Sequence, residues 1–373
     1  MAKPSSECGG NSACAICRDF PFDRDNASAR SRSLLEEATD SGMALVNGRR
    51  RIVILGGGCG GVVAATHLGR KLGADHDVIL IDRRPDHIFM PAFLMLMVGD
   101  RQPWDISRKL SHLERRNIKF IQSEITGIDP IRQEVSLEKE RLGYDYLIVS
   151  LGLQTRPDLV PGFTESSIHP WEMDSALRLR DTLSEFRSGR IVVGVPLGPY
   201  RCPPAPYETQ WMLDGYFRQR GIRDRVEMEY FTREPEPTGE AHDPLVWMDA
   251  ESKRRNIKQN YEFVVRSIDP QKKEVHGLYN YKLKYDLLVM VPPHRPAQVL
   301  LDSGLAEAET GIRVDYDTLK TKWDNVYAIG DCADMPASKA GGVAHQEADV
   351  LAHNLAVEIT GKGRPVDLWL HTI

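Results

Sequence analysis

The sequence predicts an α/β protein of two Rossmann-like domains, the second inserted into the first. Two observations predict it. From Arg51 an apolar strand, a glycine-rich turn and a helix follow one another, and the plan begun there recurs in the second half of the chain. At 373 residues the chain has room for two to three domains with cores that need neither disulfides nor metals.

Residues 1–48 are rich in Ser, Ala, Asp and Arg without strand periodicity, which predicts a flexible leader with one short helix near Ser33 to Thr39. The folded body opens with a strand (Arg51 to Leu55), a glycine turn, a helix (Cys59 to Leu72) and a strand (Val78 to Ile81), a βαβ unit that requires a parallel sheet. Arg115-Arg116-Asn117-Ile118-Lys119 recurs as Arg254-Arg255-Asn256-Ile257-Lys258. Ile128-Asp129-Pro130 recurs as Ile268-Asp269-Pro270, Glu134-Val135 as Glu274-Val275, and Tyr144-Asp145 as Tyr285-Asp286, in the same order. Upstream, Arg51-Ile52-Val53 matches Arg190-Ile191-Val192, and Ile118 and Ile257 each lie 66 residues beyond the matching isoleucine. Chance explains one shared tripeptide but not an ordered series. Each copy reads as a helix, a buried strand, a turn at Asp-Pro, a short β-meander and a closing strand, Tyr146 to Val149 and Leu287 to Val291. The expected division is leader 1–48, a first domain from 49–153 and 295–373, and a second domain over 154–294.

Hydrophobic residues at 41% and charged residues at 27% are ordinary globular composition and exclude a wholly disordered, collagen-like or coiled-coil chain. A net charge of −5 lacks the basic excess of a polyanion binder, so nucleic acid is not an expected partner. The uncharged stretch between Arg51 and Arg70 holds six glycines, five of them from Gly56 to Gly61, which makes a turn instead of a membrane span. Charges throughout residues 1–50 argue against a signal peptide, and six cysteines in so long a chain do not form a secreted disulfide framework. The expected location is the cytoplasm.

Gly56, Gly58 and Gly61 satisfy G-x-G-x-x-G between a strand and a helix. The first permits the tight turn, the second lets a pyrophosphate approach the backbone, and the third lets helix and strand pack closely. Asp82, at the end of the next strand, stands where an acceptor for ribose hydroxyls is needed, and Arg83 beside it is a further candidate. Val326-Tyr327-Ala328-Ile329-Gly330-Asp331 ends a strand in Gly-Asp and resembles the second FAD motif of the flavoproteins with two dinucleotide-binding domains, in which the aspartate receives the ribityl chain. Tyr146 to Gly152 resembles the strand-to-linker signature of the same proteins, so FAD is the expected cofactor. In the second copy Gly194-Val195-Pro196-Leu197-Gly198-Pro199-Tyr200 replaces the phosphate turn with two prolines, and the strand ending at Thr232-Arg233 lacks a ribose-binding acid. NAD(P)H is therefore not the expected reductant.

That turn runs into Arg201-Cys202-Pro203-Pro204-Ala205-Pro206-Tyr207-Glu208. The prolines give Cys202 a rigid presentation, and Arg201 together with the following helix start would favour its thiolate. Cys59 and Cys332 read as small packing residues. Cys8, Cys14 and Cys17 have no fourth ligand nearby, so no metal is expected. His242 lies in a polar loop where a solvated histidine is the default, and His294 follows two prolines on a turn that could reach the flavin side.

The FAD fingerprint, the Cys202 to Glu208 segment, Val291-Pro292-Pro293-His294-Arg295-Pro296, and Gly330-Asp331 followed by Lys339-Ala340-Gly341 together resemble the sulfide:quinone oxidoreductases and the flavoprotein subunits of flavocytochrome c sulfide dehydrogenase, over roughly Arg50 to Leu370. The resemblance implies a sulfur relay at Cys202 beside FAD, proton transfer by Glu208, sulfide or another small sulfur compound as substrate, a quinone or cytochrome as acceptor, and room for peripheral contact with a membrane. The alternatives are a flavin-binding electron-transfer subunit or a catalytically incomplete paralogue and, third, an NADH:quinone reductase. In that family a partner cysteine usually lies in a C-terminal segment that also supplies apolar quinone-binding elements. This sequence runs to Ile373, and residues 152–171 hold no cysteine, which leaves Cys8, Cys14 and Cys17 as the other candidates for a second relay sulfur.

Overall fold

The computed structural model describes residues 48–238 and 243–370; the leader with its expected helix, Cys8, Cys14, Cys17 and His242 lie outside them. Ten strands form two parallel sheets: β1 (Arg51–Leu55), β2 (Asp77–Asp82), β3 (Ile118–Gln122), β4 (Tyr146–Val149), β5 (Ser167–Ile168), β6 (Gly189–Val195), β7 (Val226–Thr232), β8 (Ile257–Asn260), β9 (Leu287–Met290) and β10 (Val326–Ala328). The principal helices are α1 (Cys59–Leu72), α2 (Met173–Glu185), α3 (Ala205–Gln219), α4 (Pro244–Arg254) and α5 (Gly341–Thr360).

The first sheet runs β10-β4-β1-β2-β3 and the second β5-β9-β6-β7-β8, so the two have one order. They differ in where the edge comes from: β10 lies after the inserted half, whereas β5 begins it. Each repeated tripeptide has the same local task in both halves. Asp129 accepts backbone N–H bonds from Ile131 and Arg132 at 3.1 and 3.0 Å, and Asp269 accepts from Gln271 and Lys272 at the same two distances. These are short turns closed by an aspartate side chain, and each joins the first two strands of a three-stranded antiparallel meander with the register shift at the matching place, Ile125/Gly127 and Val265/Ser267. Asp145 and Asp286 each accept the N–H that opens the central strand, from Arg51 and Arg190, both at 2.7 Å.

Burial follows the strand period of two. In the second sheet Ile191, Val193 and Val195 face a core with Leu179 and Leu183 of α2 and Leu213 and Phe217 of α3, while Val192 faces Phe231, Phe263 and Val275 on the meander side. β2 extends beyond the apolar run that predicted it, to Asp82, because parallel pairing carries on to Gln122. Gly194 is not a turn residue at all: it continues β6, and the Phe231 ring occupies the space a side chain there would need. The two crossings between the halves pair with each other as antiparallel strands, Leu153–Thr155 against His294–Pro296.

Candidate active site

The chain leaves β1, β2, β4 and β10 at one edge of the first sheet, so that Gly56, Asp82, Ser150 and Gly330 converge there. Gly56 takes φ +104°, and a Cβ on it would collide with the Ser150 carbonyl. A Cβ on Gly61 would overlap the Gly56 carbonyl, so only glycine lets α1 close on β1. Gly58 is open instead: its backbone is extended at φ −74°, and a Cβ would meet nothing within 4 Å. α1 starts there with no side-chain cap and no acid in its first turn, leaving its N–H groups to an anion. This cradle fits the pyrophosphate of a dinucleotide.

Asp82 is 8% exposed, and both of its oxygens already accept backbone N–H bonds, from Gly57 at 2.6 Å and Arg84 at 2.8 Å. It braces the glycine turn. Arg83 is exposed, 3.7 Å from Glu124. Arg84 is the nearer cation, and its Nε is buried without a hydrogen-bond partner.

Gly152 and Gly330 both need the left-handed backbone, at φ +63° and +72°. The Gly330 N–H donates to Glu347 at 2.5 Å, and burial of that glutamate raises its pKa to about 7. Asp331 is raised by burial too, against Arg201 and Lys339, which lower it. A narrow cleft is lined here by Gly330, Asp331, Lys339, Val343 and Glu347. Glu347 was not singled out in the sequence, and Lys339 entered only with the Lys339-Ala340-Gly341 segment. The signal for Glu347 was available, because it shares the buried stripe of α5 with Val343, Ala344 and Leu351.

Cys202 is tied to the same segment through Lys339. Its N–H donates to the Lys339 carbonyl at 2.7 Å, its own carbonyl receives the Ala205 N–H at 2.9 Å, and its φ is +60°. A left-handed non-glycine residue costs about 1–2 kcal/mol, which marks a position held by its surroundings. The expected thiolate is overturned. Burial pushes the thiol up to about 11 and Glu208 adds to the rise, while the Ala205 N–H and Arg201 act in the opposite direction and lose. Glu208 stands exposed in the first turn of α3, and partial burial of its carboxyl raises it above the usual carboxylate range.

Arg201 donates from Nε to His294 Nε2 at 3.1 Å and from Nη2 to the Trp171 carbonyl at 2.8 Å, and Trp171 Nε1 returns a bond to the Arg201 carbonyl at 3.2 Å. His294 is completely buried, and burial together with Arg201 lowers its pKa to about 3. It therefore supports Arg201 as a neutral ring. Cys332 is fully buried against the Val149 and Ile329 carbonyls, and half-buried Cys59 donates to the Gly341 carbonyl at 3.2 Å. Among the described residues no group of His, Cys, Asp or Glu is arranged to hold a metal, and no helix is long and apolar enough to cross a membrane.

Residues 50–195 match the family model described as pyridine nucleotide-disulphide oxidoreductase, and residues 176–292 match the central region of the sulfide dehydrogenase (flavocytochrome c) flavoprotein chain. Fold and cradle thus define an FAD-binding oxidoreductase. Within that class the relatives of this chain include sulfide:quinone oxidoreductases, beside NADH dehydrogenase-like proteins. The mitochondrial sulfide:quinone oxidoreductase of Dictyostelium discoideum is 28% identical, across 82% of this chain and 70% of its own length, and the sulfide-quinone reductase of Aquifex aeolicus is 29% identical across 83% and 77%. The crystal structure of the sulfide:quinone oxidoreductase from Aquifex aeolicus superposes with a TM-score of 0.75 at 26% identity, covering 84% of this chain and 77% of that one.

Proposed function

We propose that this protein oxidises sulfide, or another small sulfur compound, at Cys202 and passes the electrons to a quinone or a cytochrome. The observation that carries the reading is the strained, rigid placement of Cys202, whose N–H is bonded to the carbonyl of Lys339, a residue that lines the cleft beside Asp331. In this reading 49–153 with 295–373 form the cofactor domain, where Gly56, Gly58 and Gly61 admit the pyrophosphate, Gly152, Gly330 and Asp331 shape the seat of the ribityl chain, and Asp82 and Arg83 flank the ribose. The segment 154–294 is the second domain and presents Cys202.

Joining Cys202 to a hydrosulfide sulfur forms one S–S bond and releases two electrons and the protons of the thiols. FAD, when bound, supplies the two-electron acceptor between sulfur and the final oxidant. Glu208 is the proton acceptor: its raised pKa brings it closer to working pH than an ordinary carboxylate. A quinone acceptor would have the protein act peripherally at a membrane, from the cytoplasmic side.

Anaerobic mixing of the FAD-loaded protein with sulfide tests the reading. Sulfide should bleach the flavin absorbance, Cys202→Ser should abolish the bleaching while FAD stays bound, and NADH should act far more slowly, because β6 runs through Gly194 without a phosphate turn. Undiminished bleaching in Cys202→Ser, or faster bleaching by NADH, would refute it.

A further inference from the structure

Arg201 is a half-buried cation without a counter-ion. Its acceptors are all neutral: the His294 imidazole, the Trp171 carbonyl and the Met90 thioether. No carboxylate among the described residues comes within salt-bridge distance, and Asp331 and Glu172 act on it only from farther away. Removing a guanidinium from water without an ionic partner is costly, and a protein tolerates it most readily where an anion arrives.

The neighbours fix the direction of this charge. Because His294 Nε2 accepts from Arg201, the ring carries its proton on Nδ1, which is turned toward the Pro292 backbone. Toward Arg201 the imidazole therefore serves as the acceptor that aims Nε. Trp171 clamps the residue from both sides, through its carbonyl and its indole N–H. The next residue is Cys202, and the carboxylates that bear on its sulfur, Glu208 and Asp331, both oppose negative charge there. His169 is kept neutral by burial, and Lys339 spends its ammonium on the Ala333 carbonyl.

We propose that Arg201 holds the anionic sulfur of the reaction, a small soft monoanion such as hydrosulfide or the terminal sulfur of a persulfide, beside Cys202. The proposal rests on the sulfur chemistry assigned to Cys202 above. Arg201 supplies the positive potential that the cysteine lacks in its own right, so charge reaches the site on the incoming sulfur and does not need a preformed thiolate.

Alkylation of the FAD-loaded protein reads that potential without turnover. Iodoacetate and iodoacetamide are similar in size, but only iodoacetate is an anion. The ratio of their rates at Cys202, followed on its peptide by mass spectrometry, cancels the thiol's own pKa and exposure. Relative to the same ratio for a free small thiol, wild type should be raised about tenfold, Arg201→Lys should keep most of the rise, and Arg201→Met should lose it. A wild-type ratio no higher than that of the free thiol overturns the proposal even if the methionine variant does not fold, and a ratio unchanged in Arg201→Met reduces Arg201 to a structural residue. A flat ratio alongside an inactive Cys202→Ser sinks only the role of Arg201. An active Cys202→Ser sinks the sulfur reading itself, and with it the ligand proposed here.

Discussion

Gly58 and Gly61 belong to one motif, yet the structure separates what each contributes. At Gly61 a Cβ overlaps the Gly56 carbonyl, and no flexible side chain is there to give way. Gly61→Ala must therefore move backbone, at roughly 3 kcal/mol, the upper end for overpacking, or a fall in Tm of roughly 6 °C. At Gly58 the backbone is extended and the Cβ position empty, so Gly58→Val should leave the FAD-free protein within about 0.5 kcal/mol of wild type. The valine would stand where the pyrophosphate meets the start of α1. Losing two charge-assisted bonds at roughly 2 kcal/mol each weakens FAD about a thousandfold. Thermal unfolding of FAD-free protein and titration of flavin fluorescence measure the two quantities independently. The reasoning fails if Gly58→Val destabilises the FAD-free protein as much as Gly61→Ala does, or if it binds FAD within tenfold of wild type.

Asp331→Ala should weaken FAD about tenfold to a hundredfold with the fold retained; unchanged affinity in an equilibrium titration would remove Asp331 from the site. The rate of Cys202 alkylation by iodoacetamide should keep climbing with pH toward a midpoint near 11, since burial delays the thiolate; a midpoint at or below that of free cysteine would contradict this environment. Glu347 has a folded pKa of about 7 against 4.5 when exposed, so its contribution to stability is complete below about pH 4.5 and is lost as the pH rises through 7. Urea unfolding should therefore show a decline of about 2–3 kcal/mol between pH 5 and 8 that Glu347→Gln removes, and an identical decline in the variant would show that another group causes it.

The strands, α1 and the paired halves were legible because their causes are local. Apolar alternation, a glycine turn and Asp-Pro closures act over a few residues, and β1, β4 and α1 fall where the pattern puts them. The electrostatics of the site were not legible. Cys202 lies beside a cation and near a helix start, the two features that suggest a thiolate, but its titration is dominated by burial that segments distant in sequence create, Lys339 among them. Arg201 and His294 are 93 residues apart, and nothing in either segment announces that one will aim the other. Asp82 was correctly seen at the end of β2, but only the folded turn shows that Gly57 and Arg84 already occupy its oxygens.

The pairing of Leu153–Thr155 with His294–Pro296 means that the chain departs for the inserted half and returns from it through a single doorway. Thr155 faces His294 directly, and Arg156 N–H still donates to Pro293 at 2.6 Å just beyond. The loop-closure entropy of the whole insertion is thus met at its base by a short backbone ladder. The inserted half is topologically a cartridge, and a two-residue hairpin turn could close the doorway in its absence. All five strands of the first sheet lie outside that doorway, so the sheet that carries the cofactor cradle is complete without a strand from the insertion.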